Sequence, residues 1–334
     1  MKKQFLFFIL LVLILKVNAQ LLPANLNCTD SKIWLKTNYY NGIHQTLGYS
    51  LARKKMYAYI DNHNDSVECV YSGFKVYNAY GNEITFPAPV NTEHSVPQSF
   101  FSSMDPMLSD IHHLFPSYDL WNTDRGSNPF MDIPDNNTVK WVINNYSQSN
   151  IPSNNIDGYS EYRPTDYEPR ESHKGDLARA LAYFYTMYPS VGPLTDVISL
   201  NTMLQWNTQD PPNQDEIDRN NAIAFYQGNR NPYIDYPSWM IQAFVCNISI
   251  ADVDLASNWS VYPNPAKDIL FVKNELAFTQ GIISVYSMSG TLVYSQKTDD
   301  TTTQLDISKL NGGVYILQYN AGTFMFQRKI VVIR

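Results

Sequence analysis

The feature that most constrains the fold of this chain is a change of residue pattern near residue 250. Before that point long amphipathic stretches alternate with polar loops, whereas from residue 259 onward short apolar runs are separated by turns. Hydrophobic periods of 3.6 and of two residues belong to different kinds of element, so the two parts should pack separately. We therefore predict an α+β protein with a mainly helical domain at 20–247, a linker at 248–258 and a small all-β sandwich at 259–334.

Within these parts, local signals place the individual elements. Asn213, with Glu216 three residues later, is typical of a helix start, and Gly228 is typical of a helix end. The region 131–168, rich in Asn, Ser, Pro and Asp, predicts long loops. Periodicity predicts helices at 31–46, 50–60, 172–188 and 213–228, and strands at 67–71, 74–77, 269–272, 282–286, 292–294, 314–319 and 324–333.

The N-terminus has the organisation of a secretory signal peptide. Lys2 and Lys3 precede an apolar run at 5–15, and small residues end at Ala19, so we expect residues 1–19 to be removed. The run is too short to span a membrane comfortably, and no later segment has 18 consecutive apolar residues. We therefore expect an exported protein without a transmembrane helix.

The three cysteines suit an oxidising compartment. Cys28, Cys69 and Cys246 are isolated, without the paired spacing of a structural zinc site. In an exported chain one disulfide and one remaining thiol are expected, and the spacing leaves the pairing open.

The charge balance limits the kinds of partner. Residues 20–258 contain 14 basic and 26 acidic side chains, a net charge of −12. A tight nucleic-acid-binding module normally has a basic surface, so this balance argues against high-affinity binding that survives salt. Contact with phosphate would have to be local, and the arginines from Arg125 onward predict a shallow basic surface for it.

Acidic, amide and imidazole side chains concentrate between residues 93 and 122. The oxygens of Glu93 and Asn122 suit a hard cation such as Mg²⁺, and a neutral His94 beside them could remove a proton from water. A divalent ion on a phosphate oxygen would stabilise the developing charge. These parts suit a phosphodiester hydrolase, although taken singly His94 would more often be structural and Asn122 a helix cap or turn residue.

Six motifs follow one another from this region onward. They are EHSVP at 93–97, DIHHLFP at 110–116, NTDRGSN at 122–128, YEP at 167–169, KGDLAR at 174–179 and QGNRNPYID at 227–235. Together they resemble the endonuclease I family, which comprises secreted or periplasmic nucleases with a ββα-metal finger. The resemblance extends over roughly 48–240 and implies a mainly helical nuclease domain with the finger embedded in it.

The resemblance implies roles for individual residues. His94 would be the general base, Glu93 and Asn122 the metal ligands, and Asp110 and His112 supports of the finger. The implied ion is Mg²⁺, with Ca²⁺ or Mn²⁺ as alternatives. The implied reaction is sequence-tolerant hydrolysis of DNA, and also of RNA in some relatives, leaving a 5′-phosphate and a 3′-hydroxyl.

One position departs from the family pattern. Some relatives carry an arginine near the scissile phosphate in the loop of the finger, and here no Arg or Lys lies between residues 94 and 110. Arg125 is our candidate for that catalytic role, and we expect Lys174, Arg179 and Arg230 to bind substrate. For Arg125 and Arg230 the alternative is a salt bridge that ties the finger to the helical body.

The C-terminal segment has motifs of its own: VYPNPA at 261–266, VYSMSG at 285–290 and LNGGVY at 310–315. They resemble the type A sorting domain of the type IX secretion system. The resemblance implies transport across the outer membrane, followed by release or surface attachment. The alternative is an accessory binding sandwich.

The sequence alone is compatible with three functions. The first is a monomeric, metal-dependent endonuclease. The second is a non-catalytic, surface-displayed protein that binds nucleic acid or glycan, which the acidic balance and the missing loop arginine favour. The third is a metal phosphodiesterase with a substrate other than nucleic acid.

Overall fold

A computed structural model of the protein describes residues 21–24, 26–246, 259–274, 281–288, 291–298, 300–321 and 324–334. The predicted signal peptide at 1–19 and the predicted linker at 248–258 lie outside the described residues.

The first domain is built around one buried helix. Helix α4 buries Leu177, Leu181 and Phe184 together with most of its other residues, so it forms the centre of the main core. Its predicted bounds of 172–188 are confirmed within one residue. In the described part of this domain the helices are α1 (Cys28–Tyr39), α2 (Tyr49–Lys55), α3 (Asp119–Arg125), α4 (Glu171–Met187), α5 (Leu200–Gln209), α6 (Gln214–Gln227), α7 (Pro232–Asp235) and α8 (Trp239–Phe244).

Capping explains where α6 begins and ends. The side chain of Asn213 accepts a hydrogen bond from the backbone N–H of Glu216, and Gly228 takes the left-handed conformation with φ 90°. Both signals were predicted and both are confirmed. The predicted helix at 50–60 instead divides into α2 and a π-helical turn at Met56–Ile60.

The region 131–168 contains a four-stranded sheet between its loops, so the prediction that it consists of long loops was wrong. Strands β5 (Lys140–Ile143), β6 (Tyr146–Gln148), β7 (Ser160–Arg163) and β8 (Asp166–Glu168) pair antiparallel in the order β6-β5-β7-β8. These strands have only three or four residues, too few to show a clear alternation. Burial of Trp141, Val142 and Tyr167 stabilises them, and that burial depends on distant parts of the chain.

A strand–strand–helix unit lies between the helices. Strand β3 (Val90–His94) pairs antiparallel with β4 (Leu114–Tyr118), and His94 lies opposite Leu114. Helix α3 begins directly after β4, which produces the predicted ββα order. A second small pair, β1 (Ser66–Glu68) with β2 (Lys75–Tyr77), corresponds to the predicted strands at 67–71 and 74–77.

The C-terminal part is all β in its described residues, as predicted. A three-stranded sheet has the order β13-β10-β9 and a four-stranded sheet the order β12-β11-β14-β15, with a shared apolar core that includes Leu270, Val285 and Leu317. The strands are β9 (Trp259–Tyr262), β10 (Ile269–Asn274), β11 (Gly281–Ser287), β12 (Leu292–Thr298), β13 (Thr302–Asp306), β14 (Gly313–Ala321) and β15 (Phe324–Val332). Strands β9 and β13 were not predicted.

A disulfide closes the first domain. It joins Cys28 at the start of α1 to Cys246 after α8, 218 residues later, whereas Cys69 is a buried free thiol. The cysteine count alone had left this pairing open. Among the described residues, no helix is both long and apolar enough to span a bilayer.

Candidate active site

The ββα unit brings Glu93, His94 and Asn122 together. Glu93 and His94 end strand β3, and Asn122 lies on α3, which packs against that strand. The side-chain Nδ2 of Asn122 donates to Asn91 Oδ1 at 2.7 Å and to the Thr92 carbonyl at 3.3 Å. These bonds hold Asn122 against the strand that carries the other two residues.

The surroundings of His94 leave it as a neutral base. Its Nε2 lies 3.1 Å from the carbonyl of Leu108, an acceptor only, so Nε2 carries the proton. The other nitrogen, Nδ1, then has a free electron pair and accepts from Gln98 Nε2 at 3.1 Å. Burial lowers the pKa of His94 to about 3, and the charge of His113 acts in the same direction. The imidazole is therefore unprotonated near neutral pH.

Glu93 is buried beside a cation. Its Oε1 accepts from the hydroxyl of Tyr71 at 2.7 Å and lies 3.4 Å from Nε of Arg125. Burial raises the pKa of Glu93, while Arg125 and Tyr71 act in the opposite direction. The carboxylate is thus oriented by two partners that come from different parts of the chain.

The side chains of Glu93 and Asn122 fit a hard cation. Because Nδ2 of Asn122 is occupied by two acceptors, Oδ1 is the atom left to act as a ligand. In the part of the chain that the structure describes, no group of three or more His, Cys, Asp or Glu side chains is arranged to hold a metal ion. One carboxylate and one amide oxygen suit Mg²⁺, which usually keeps several waters and takes substrate phosphate as a ligand.

Arg125 lies inside the finger rather than at its surface. It is 1% exposed, donates to the carbonyls of Ser95 and Gly126, and stacks on the ring of Phe130. This placement differs from the expected catalytic contact with phosphate, because burial keeps the guanidinium away from solvent. It also ties α3 to β3 within the finger, and not to the helical body.

Asp110 and His112 connect the finger to the helices, in line with the supporting role expected of them. Oδ2 of Asp110 accepts from the hydroxyls of Tyr183 at 2.8 Å and Tyr188 at 2.6 Å, both from the α4 region. Nε2 of His112 lies 3.0 Å from the carbonyl of Asn229, just after α6.

The three residues expected to bind substrate are all engaged with carboxylates. Lys174 and Arg179 are buried in α4, so neither presents a free charge to a polymer at the surface. Arg230 is more exposed, but its guanidinium forms a two-bonded pair with Asp235. The partners of Lys174 are Asp132, Glu168 and Glu171, and those of Arg179 include Asp176 and Glu216. The structure therefore argues for structural roles of all three residues. Of the three, only Arg230 had salt bridging as the alternative predicted from the sequence.

Several residues of the site were not identified from the sequence. Tyr71, Gln98 and the carbonyl of Leu108 contact Glu93 or His94 directly, and the acceptor for the His94 N–H had no candidate. Gln98, four residues after His94, could have been proposed from proximity in the chain. Tyr71 and Leu108 could not, because only the folding of separate segments brings them to the finger.

Comparisons with known proteins identify a family for each part of the chain. A model of the Endonuclease I family matches residues 31–238, and a model of a secretion system C-terminal sorting domain matches residues 260–333. The extracellular ribonuclease of Bacillus subtilis (strain 168) is 35% identical over 147 residues, 39% of this chain and 45% of that protein. The extracellular ribonuclease of Bacillus amyloliquefaciens is 34% identical over 146 residues, with the same coverage. The chain thus spans less than half the length of these relatives.

Similarity to solved structures is weak. PorZ, a surface component of the type-IX secretion system of Porphyromonas gingivalis, has a TM-score of 0.21 at 18% identity, covering 25% of this chain and 12% of that one. An immunoglobulin-like β-sandwich protein of Bacteroides vulgatus has a TM-score of 0.20 at 15% identity, covering 22% and 82%. TM-scores this low give no information about the fold or function of this chain.

The family match and the sorting domain lead to two conclusions. The sorting domain and the extracellular relatives identify a secreted or cell-surface protein. The family model covers more than half of the chain and includes the whole ββα unit with Glu93, His94 and Asn122. The chain therefore belongs to the endonuclease I family and carries a type IX sorting domain at its C-terminal end.

Proposed function

We propose that this protein is a secreted, metal-dependent endonuclease that hydrolyses phosphodiester bonds of DNA, and also of RNA, with little sequence preference. The observation that carries the proposal is the neutral imidazole of His94, with its electron pair on Nδ1, in the same ββα unit as the side chains of Glu93 and Asn122. A base and a hard-cation site in one ββα unit are the parts that phosphodiester hydrolysis needs.

His94 would act through Nδ1. The Leu108 carbonyl holds the proton on Nε2, so Nδ1 is the nitrogen that can take a proton from an attacking water. The amide of Gln98 now donates to this atom, and the water would replace that contact. After proton transfer, the imidazolium keeps its Nε2–H bond to Leu108, which preserves the orientation of the ring.

Glu93 and Asn122 would hold the cation, with Mg²⁺ as the proposed ion and Ca²⁺ or Mn²⁺ as alternatives. When bound, such an ion supplies positive charge to a phosphate oxygen and to the leaving 3′-oxygen. Tyr71 and Arg125 fix the carboxylate, and Asn91 with the Thr92 carbonyl fixes the amide, so the two ligands are oriented before the ion arrives.

The substrate would be DNA or RNA, and the partner would be the secretion machinery. The curated relatives are named as ribonucleases, which supports RNA as a substrate alongside DNA. Hydrolysis by this arrangement would leave a 5′-phosphate and a 3′-hydroxyl. We further propose that the mature chain begins after residue 19, acts as a monomer, and reaches the outside through the type IX secretion machinery.

A nuclease assay on the purified protein tests the proposal. Plasmid DNA and a structured RNA are incubated with Mg²⁺, Ca²⁺ or Mn²⁺, and in parallel with chelator. We expect cleavage only with metal. His94→Ala should reduce kcat by about two to four orders of magnitude, the usual contribution of general-base catalysis.

The exposed His63, which lies outside the ββα unit, provides the matched control. His63→Ala should retain wild-type activity. Full activity of His94→Ala would refute the proposed base, and activity in chelator would refute the metal dependence. Saturable binding of nucleic acid or glycan by the wild type without any cleavage would favour the non-catalytic alternative.

A further inference from the structure

One arginine of the first domain differs from the others in its charge environment. Seven arginines lie between residues 21 and 246, and six of them form ion pairs with carboxylates. Within the residues that the structure describes, Arg53 has no carboxylate partner. The six paired arginines are Arg125, Arg163, Arg170, Arg179, Arg219 and Arg230.

Arg53 lies close to the proposed base. Its guanidinium carbon is 4.3 Å from the ring centroid of Tyr49, one helical turn earlier on α2. The Tyr49 ring is in turn 5.4 Å, centroid to centroid, from the imidazole of His94. The positive charge of Arg53 is among the influences that lower the pKa of His94 after burial and His113.

The contacts of Arg53 orient the cation without neutralising it. Stacking on the Tyr49 ring restrains the guanidinium, because an aromatic face attracts a cation but leaves the N–H groups unused. Its Nε is buried and has no acceptor. The residue as a whole is only half-buried, so part of Arg53 remains accessible to an anion from solvent.

An unpaired buried N–H of a charged group is costly unless a ligand completes its hydrogen bonds. Guanidinium groups bind phosphate through two parallel N–H···O bonds, which matches the chemistry of a nucleic-acid substrate. The loop of the finger has no arginine, whereas α2 supplies a cation that stacks on Tyr49, the ring next to the His94 imidazole.

We propose that Arg53 binds a non-bridging oxygen of the phosphate being cleaved, while Tyr49 holds the guanidinium in place. This inference rests on the proposed nuclease function and adds a residue outside the ββα unit to its phosphate-binding site. It makes α2 part of the active site, and it explains how a strongly acidic domain engages a polyanion through one local cation.

The test compares three variants of the full mature chain. Arg53→Gln removes the charge, and Arg53→Lys keeps the charge without the two-bonded geometry. Lys54→Gln is the matched control, because it removes one positive charge from the next residue, whose side chain leaves α2 roughly 100° further round the helix. The charge of Lys54 acts on Glu83.

Two quantities are measured for each variant. The first is kcat and KM on DNA with Mg²⁺. The second is the affinity for a labelled oligonucleotide in chelator, at several salt concentrations. Arg53→Gln should lower kcat/KM by about 10- to 100-fold, the size of one charge-assisted contact, with part of the loss in kcat. The slope of log affinity against log salt should fall by about 0.7–0.9, the value for one lost phosphate contact.

Arg53→Lys should recover part of the affinity but not full kcat, and Lys54→Gln should stay within about threefold of the wild type in kcat/KM, as expected of a surface charge pair. Equal losses in Arg53→Gln and Lys54→Gln would overturn the proposal, since any nearby charge would then suffice. A loss confined to KM would also overturn it, because that result places Arg53 at a remote phosphate. An inactive wild type that binds no oligonucleotide would instead refute the proposed function itself.

Discussion

Replacing Arg125 by methionine tests how the ββα unit is held together. Methionine keeps much of the volume beside Phe130 but removes the guanidinium that lies 3.4 Å from Glu93 Oε1. The substitution also removes the hydrogen bonds to the carbonyls of Ser95 and Gly126. Because both charged side chains are almost fully buried, water cannot replace the lost partner.

The size of the effect follows from this geometry. Two unit charges 3.4 Å apart attract with about 5 kcal/mol at the effective dielectric constant of about 20 that describes buried sites best. Loss of one partner from a buried pair typically costs about 3–5 kcal/mol. For a domain of this size, about 2–4 °C of Tm corresponds to 1 kcal/mol, so Arg125→Met should lower Tm by about 6–20 °C.

Thermal and urea unfolding in the presence of chelator measure this loss without a contribution from metal binding. The pair Arg163–Asp166 is more exposed, so Arg163→Met is the control and should cost at most about 1 kcal/mol. The double variant Glu93→Gln/Arg125→Met should be about 1–3 kcal/mol more stable than the sum of the single effects. A cost of Arg125→Met no larger than that of the control, or strict additivity in the double variant, would refute the reasoning.

Two further predictions concern the stability of the first domain. Replacing Cys28 and Cys246 together by serine should lower its free energy of unfolding by about 2–5 kcal/mol, because the disulfide closes a loop of more than 200 residues in the unfolded chain; an unchanged urea midpoint would contradict this. Burial raises the pKa of Glu161 to about 8, above the ordinary value of about 4.3. The folded protein therefore holds the Glu161 proton more tightly than the unfolded chain does. The stability that this provides is complete at low pH and is lost as the pH rises toward 8. Glu161→Gln should therefore flatten the pH dependence of Tm between about pH 5 and 8 and stabilise the domain at pH 8 by about 1–3 kcal/mol; parallel profiles for the two proteins would count against it.

The basic residues show where a sequence motif can mislead. Lys174 and Arg179 lie in a stretch that resembles the family, and a cation in a nuclease invites assignment to phosphate binding. The fold places both in a buried helix, where desolvation makes carboxylate partners necessary. Arg53 carries no motif, and it stands out only when the partners of all the arginines are compared.

Some helices and strands could be predicted from the sequence, and others could not. Helices α4 and α6 could be predicted closely, because a long amphipathic stripe and local caps carry their own signal. The sheet at 140–168 could not, since strands of three or four residues depend on burial against distant segments. The predicted strands of the C-terminal part were correct because short apolar runs are a signal that lies within each strand.

The sequence by itself determined the two-part organisation and the ββα order, because these depend on local patterns and ordered motifs. It also suggested the roles that we propose for Glu93, His94 and Asn122. The tertiary structure alone decided which nitrogen of His94 is free, which partners hold Glu93, and which cysteines pair. It also decided which cations remain available to a substrate. A charge is available or neutralised according to neighbours that lie far away in the chain, and only the packed fold brings those neighbours together.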